Sequence, residues 1–308
     1  MKLQILLRDP LGIAGERVQA ATAPLREAGH LVGPDVDPAA ADVFLITNRP
    51  LTAAEMAAAE RLRFVAVAFA GYDHVDLAAA TARGILVANA RGYANQAVAE
   101  LAVALMIAGL RRCGEMEARL RAGGDRAGFA GLELGSQTVG FIGTGSIGRR
   151  TAALVRAFGA RTVGLLRRPE QAADPDFDCW LPLEELLAAS TVVSLHCPLN
   201  AATRGLIGAA ALERMRPGAL LVNTARGPVV DQAAVVAALE SGRLGAYATD
   251  VFEREPPLDP ADSLLRAPGA ILLPHIGYAS QEALTARLET SVANILAWAA
   301  GCPENLVN

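Results

Sequence analysis

Thr138-Val139-Gly140-Phe141-Ile142-Gly143-Thr144-Gly145-Ser146-Ile147-Gly148 decides the fold. A short apolar run enters G-x-G-x-x-G, and a helical pattern over 149–158 follows. Strand, glycine turn and helix in that order form the dinucleotide-binding βαβ unit. Gly143 permits the tight turn, Gly145 lets backbone approach a pyrophosphate, and Gly148 lets the helix pack close to the strand. Ser146 and Ile147 complete the loop, with the helix N-terminus facing the anion. At the end of the next strand an NAD site presents an acid to the ribose hydroxyls, but Val163-Gly164-Leu165-Leu166-Arg167-Arg168-Pro169 has none. The missing carboxylate and the forked donors of Arg167 and Arg168 predict NADP as cofactor, with NAD possible; a solvated arginine pair is the competing reading. Arg149 and Arg150 read as helix-surface residues.

Outward from this unit, apolar runs at 3–7, 43–47, 64–69 and 85–87 read as strands alternating with Ala-rich helical stretches, which predicts a parallel α/β domain. One long helix over 96–120 is expected to bridge into a second domain. There, strands at 161–166, 191–196, 219–223, 245–251 and 271–273 predict a doubly wound sheet. A last helix, 281–300, lies beyond that sheet and is free to return to the first domain.

A length of 308 residues exceeds what one core usually holds, and 52% hydrophobic with 19% charged residues exclude a mostly disordered chain. The net charge of −4, without a basic run, argues against a nucleic acid partner. Lys2 is the only lysine, which excludes a P-loop and an internal Schiff base. Cys113, Cys179, Cys197 and Cys302 show no C-x-x-C spacing, so neither a zinc site nor a redox pair is expected, and no metal is assigned. The apolar runs at 3–7 and 101–110 are too short for a signal peptide core or a membrane span. A cytoplasmic protein without membrane attachment is expected.

Three strand ends bring chemistry to the carboxyl edge of the second sheet, where open α/β sheets bind ligands. They carry Val222-Asn223-Thr224-Ala225-Arg226-Gly227, then Thr249-Asp250-Val251-Phe252-Glu253-Arg254-Glu255-Pro256, then Pro274-His275-Ile276-Gly277. Together with Phe69-Ala70-Gly71-Tyr72-Asp73-His74-Val75-Asp76-Leu77 and Val98-Ala99-Glu100, these motifs resemble, in order, the D-isomer-specific 2-hydroxyacid dehydrogenase family, in its glyoxylate/hydroxypyruvate reductase-like form. The resemblance spans nearly the whole chain. It implies two Rossmann-like domains, flavodoxin-like and NAD(P)-binding, with a cleft between them. The coenzyme domain, 96–278, would be inserted into a substrate domain of 1–95 and 279–308.

Residue by residue, the resemblance implies that His275 protonates the carbonyl oxygen, with Glu255 as its partner stabilising the imidazolium. Glu253 competes for that place, but the family acid stands immediately before the proline. Arg226 would bind the substrate carboxylate and keto oxygen, and the Ala70 and Gly71 amides would receive the carboxylate, with Asn95 close by. Asp250 would meet the nicotinamide carboxamide. His196, Pro198, Thr224, Ala225 and Gly277 would complete the cofactor contacts. His74 is read as a turn residue and His30 as a surface helix end. Phe69 and Arg91 depart from glycine and proline common in the family, and Arg91 is a candidate for a second anionic group or for a helix-start surface. The expected function is NADPH-dependent reduction of glyoxylate and hydroxypyruvate to (R)-2-hydroxy acids by a homodimer formed around residues 96–120. An NAD-linked enzyme of bulkier keto acids and a dinucleotide-sensing binding protein are the alternatives.

Overall fold

A computed structural model describes residues 2–255 and 257–308, with Pro169 and Ala172 described by backbone alone. Pro256, the end of the Asp250 motif, lies outside the described residues. The chain divides into two compact units, one running to Ala94 and resuming as Tyr278–Asn308, the other Asn95–Gly277.

In chain order the elements are β1 (Gln4–Leu7), α1 (Gly15–Glu27), β2 (Leu31–Gly33), β3 (Val43–Ile46), α2 (Ala53–Ala58), β4 (Phe64–Val67), α3 (Leu77–Ala82) and β5 (Leu86–Asn89). Next come α4 (Asn95–Leu110), α5 (Cys113–Arg121), β6 (Thr138–Ile142), α6 (Ser146–Ala157), β7 (Arg161–Leu165), β8 (Cys179–Leu181), α7 (Leu183–Ala189) and β9 (Val192–Leu195). The remainder are α8 (Ala209–Arg214), β10 (Ala219–Asn223), α9 (Gln232–Glu240), β11 (Leu244–Thr249), β12 (Ala270–Leu272) and α10 (Gln281–Ala299).

The first unit holds a parallel five-stranded sheet ordered β2-β1-β3-β4-β5. Central strands covered on both faces need continuous apolar runs, and Val-Phe-Leu-Ile of β3 and Phe-Val-Ala-Val of β4 are buried throughout. α10 belongs to this unit, and its Trp298 stacks on Phe64 with ring centroids 4.9 Å apart. The second unit holds a parallel seven-stranded sheet ordered β12-β11-β10-β9-β6-β7-β8. Its strand order reverses between β6 and β9, the switch point at which such sheets take ligands.

The expected single helix over 96–120 is two. α4 is apolar on most sides and seated on the sheet so closely that a Cβ on Gly109 would lie 2.7 Å from Leu220. At Arg111-Arg112 the apolar character ends, Arg112 turns left-handed with φ of 46°, and α5 leaves the core with no buried residue. The boundary between units also differs by one residue at each crossing. Asn95 opens α4 in the second unit and Tyr278 belongs to the first. Among the described residues no helix is long and apolar enough to cross a membrane.

An asparagine chain absent from the sequence reading ties the C-terminal tail to β5. Asn294, 1% exposed on α10, donates to the Asn89 carbonyl at 3.0 Å and accepts from the Asn305 amide at 2.8 Å. The Asn89 N–H donates to the Asn305 carbonyl at 3.1 Å, and its side chain donates to the Ala70 carbonyl at 2.7 Å. Buried amides left without partners carry their full desolvation cost. Asn294→Ala is therefore expected to lower stability by about 1–3 kcal/mol. Hydrogen exchange should rise around 305–308 and 69–72 while β1 and β3 stay protected; an unchanged exchange pattern would show that the chain of amides does not hold the loop.

Candidate active site

β6 ends at Ile142, and Gly143 follows with φ of 108°. A Cβ at Gly143 would sit 2.3 Å from the His196 carbonyl carbon, and one at Gly148 would sit 2.1 Å from the Gly143 oxygen. Glycine at both positions is thus forced by backbone crossing backbone. Gly145 differs, because a Cβ there meets nothing within 4 Å, which leaves its backbone open to an approaching group. Ser146 starts α6 and donates to the Asn95 side-chain oxygen at 3.1 Å. A cavity of about 660 Å³ adjoins this turn, lined by Gly143, Gly145, Arg167, Arg168, His196 and Pro198 among others. His196 pairs through Nε2 with Ser194 Oγ at 2.8 Å and stacks on Phe141. Burial pushes its ring down to about 4, so it faces the cavity uncharged near neutral pH.

The loop after β7 is organised by Gln171, whose Oε1 accepts the backbone N–H groups of Arg167 and Arg168 at 2.8 Å each. Arg167 and Arg168 are both exposed, and Arg168 Nε lies 3.4 Å from Glu170. Arg149 is no simple surface residue. It is partly buried and bridges Asp174 and Asp176, whose hydrogen bonds raise its guanidinium further above the ordinary arginine range. The neighbouring Arg150 is exposed and donates to Gln96.

At the ends of β10, β11 and β12 the chain folds back on itself in three linked turns. Asn223, fully buried, accepts from the Ala225 N–H at 3.0 Å and donates to the Arg226 carbonyl at 3.0 Å. Thr249 Oγ1 donates to the Asn223 carbonyl at 2.8 Å, clipping β11 to β10. Asp250, 1% exposed, accepts the Gly277 N–H on Oδ2 at 2.7 Å, while its backbone oxygen accepts the His275 N–H at 2.8 Å. Burial pushes the Asp250 carboxyl above the usual carboxylate range. Held in this way, His275 adopts a left-handed φ of 50°, which side chains other than glycine rarely take. Its Nδ1 lies 3.0 Å from Glu255 Oε2. Glu253 is exposed.

Arg226, Asp250, Glu255 and His275 therefore share the carboxyl edge of three adjacent strands. Thr224 is partly buried, with Oγ1 unpartnered, and Ala225 is buried. Ala70 and Gly71 lie in the first unit, on the loop after β4 that Asn89 anchors. His74 sits in a turn of that unit, and His30 Nδ1 accepts the Leu3 N–H at 3.3 Å. The supporting roles of Asn223, Thr249, Gln171 and Asn89 were not legible in the sequence, because a polar residue at a strand end or in a loop carries no sign of which backbone group it will meet.

The chain belongs to the D-isomer specific 2-hydroxyacid dehydrogenases. That family's NAD binding domain matches residues 103–277. The chain is 38% identical to a glyoxylate reductase of Korarchaeum cryptofilum over 274 residues, covering 86% of this chain and 82% of that protein. It is 36% identical to a glycerate dehydrogenase of Methylorubrum extorquens over 277 residues, covering 87% and 85%. A solved structure of a Thermus thermophilus protein superposes with a TM-score of 0.86 at 36% identity over 99% of this chain and 100% of that one. The protein is an NAD(P)-dependent enzyme acting on the CH–OH group of 2-hydroxy acids.

Gly227 tests how tightly the strand ends are fitted, since a Cβ there would lie 1.9 Å from the Phe252 carbonyl carbon. Backbone cannot yield as a side chain does. Gly227→Ala is expected to cost about 1–3 kcal/mol and to lower turnover by displacing Arg226 relative to His275. Calorimetry and steady-state rates check this; wild-type values for both would mean that the two loops are not rigidly fitted.

Proposed function

We propose that the enzyme is an NADPH-preferring reductase of small 2-keto acids, glyoxylate and hydroxypyruvate foremost, yielding (R)-2-hydroxy acids. The observation that carries this reading is His275, fixed on left-handed backbone with Nδ1 3.0 Å from Glu255 and placed at the same sheet edge as Arg226. The relatives named glyoxylate reductase and glycerate dehydrogenase support the choice of substrates.

The residues fit a nicotinamide dinucleotide. Asp250 Oδ1 is buried without a partner, as an acceptor awaiting an amide N–H would be, and Gly145 leaves open the space that a pyrophosphate needs. Asp250 would hold the carboxamide, the turn at Gly143–Gly148 and the start of α6 the phosphates, and Arg167 and Arg168 a 2′-phosphate. His196, Pro198, Thr224, Ala225 and Gly277 would complete this site. When bound, the reduced dinucleotide supplies the hydride.

Arg226, Ala70, Gly71 and Asn95 are assigned to the substrate. Arg226 binds the carboxylate and polarises the keto oxygen. His275 delivers a proton from Nε2 to that oxygen, and Glu255, bonded to the opposite ring nitrogen, fixes the ring and balances its charge. A positioned acid of this kind contributes about 10²- to 10⁴-fold in rate. A homodimer is also proposed, supported by α5, which has no buried residue, and by the exposed side chains of Leu120 and Leu132. A cytoplasmic setting fits the four free cysteines.

One observation favours an NAD-linked reading, namely Glu170 beside Arg168, which offsets positive charge where a 2′-phosphate would bind. Initial rates with glyoxylate and hydroxypyruvate decide between the cofactors. A ratio of kcat/KM for NADPH over NADH of at least about tenfold is expected, falling toward unity when Arg167 and Arg168 are both replaced by Ala. Equal losses with both cofactors would reduce the arginines to loop solvation, and faster turnover with NADH would establish the NAD-linked reading.

A further inference from the structure

The first unit contains a buried cation that the reaction above does not use. Arg287, on α10, is 3% exposed. A buried guanidinium is ordinarily matched by a carboxylate, because an unpaired buried charge is costly. None is paired with Arg287 among the described residues. Its neighbours are the Phe69 ring, 4.5 Å from the guanidinium carbon, the Leu11 carbonyl, which accepts from Nη2, and the Tyr93 hydroxyl. Nε has no acceptor among the described residues. Burial pushes the group below the ordinary arginine range, yet arginine remains charged at any working pH. Asp9, the acid adjacent to this region in sequence, is engaged elsewhere: it accepts the Thr47 N–H at 2.8 Å and pairs with Arg49 at 3.1 Å.

Arg287 lines a cavity of about 280 Å³ together with Thr47, Asn48, Phe69, Tyr278 and Leu284. The lining mixes donors with aromatic walls and includes no acid. Phe69 stands edge-on to Tyr278 with centroids 5.0 Å apart and leads directly into Ala70 and Gly71. The cavity thus opens beside the loop assigned to the substrate carboxylate. Arg91, the arginine that the sequence offered for a second anion, is exposed and lines a different cavity with Tyr72 and the tail residues Asn305 and Asn308.

We propose that the Arg287 cavity receives a second anionic group of the substrate, a carboxylate or phosphate carried on the chain of a 2-keto acid, with Asn48 and Tyr278 as further hydrogen-bonding groups. The inference rests on the reductase reading and revises its substrate order: glyoxylate and hydroxypyruvate, both monoanions, fall behind 2-keto acids that carry a second anionic group. The distal group takes no part in bond making, since hydride and proton still add across the keto carbonyl. Its role is to neutralise Arg287 and set the chain in place, which is worth at least about tenfold in kcat/KM for a charge-assisted contact.

The test compares matched pairs, oxaloacetate against 2-oxobutanoate and 3-phosphohydroxypyruvate against hydroxypyruvate, in wild type, Arg287→Met and Asn48→Leu. Wild type should favour at least one dianion by about tenfold or more, and the member of the pair that does so identifies carboxylate or phosphate as the tail. Arg287→Met should bring that ratio near unity, and Asn48→Leu should lower it should the first variant not fold. Equal or better turnover of the monoanions by wild type overturns the subsite and leaves the reductase reading standing. Turnover of none of the four, nor of glyoxylate, with either cofactor overturns the reductase reading instead. The subsite is then read separately from the melting temperature, which malonate should raise in wild type and propionate should not; no difference between the two overturns the subsite.

Discussion

The hydrogen bond from the Gly277 N–H to the buried carboxylate of Asp250, 2.7 Å long, is the constraint on which the rest of the site depends. With the companion bond from the His275 N–H to the Asp250 carbonyl, it wraps the chain after β12 around the end of β11. The wrapping forces His275 into left-handed backbone and thereby aims its ring at Glu255. Strain of this kind, of order 1–3 kcal/mol, persists only where surrounding structure over-determines it. Here the determinants are the Asp250 bonds and the Thr249 clip to Asn223.

The same economy of backbone contact recurs at the glycine turn and at Gly227. Gly143, Gly148 and Gly227 each press against a carbonyl or carbonyl carbon too closely for any side chain, so neighbouring loops are registered to one another by main chain rather than by adjustable side chains. That rigidity suits a reaction whose rate depends on holding a carbonyl carbon, a proton donor and a cation in fixed geometry. Two of the buried polar atoms without a hydrogen-bond partner among the described residues, Asp250 Oδ1 and Thr224 Oγ1, lie along the same edge. In the first unit the Asn89–Asn294–Asn305 chain holds the Ala70 loop, and the Phe69–Arg287 stack backs it with a buried cation.

Much of the fold was legible because parallel strands buried on both faces spell continuous apolar runs, as β3, β4 and β10 do. The three-residue edge strands β2 and β8 carry no such run and were not foreseen. The break between α4 and α5 was missed because Arg111-Arg112 is helix-compatible by propensity, and only the loss of a sheet to pack against ends the helix there. At the site, the glycine loop and the Arg226, Glu255 and His275 segments were readable from ordered motifs. Asn223, Gln171 and Asn89 were not, because their roles depend on which backbone groups tertiary folding brings to them. Arg287 was hidden for a related reason. A lone arginine in a helical pattern reads as surface, and its burial against Phe69 follows from the return of α10 to the five-stranded sheet.

The proposed reduction turns most directly on His275 as the proton donor. Chemical rescue measures this role. His275→Gly should bind dinucleotide as wild type does, lose turnover of its keto acid by about 10²-fold or more, and regain rate with saturating added imidazole. Undiminished turnover in the variant, or lost turnover accompanied by lost dinucleotide binding and no response to imidazole, would contradict the assignment.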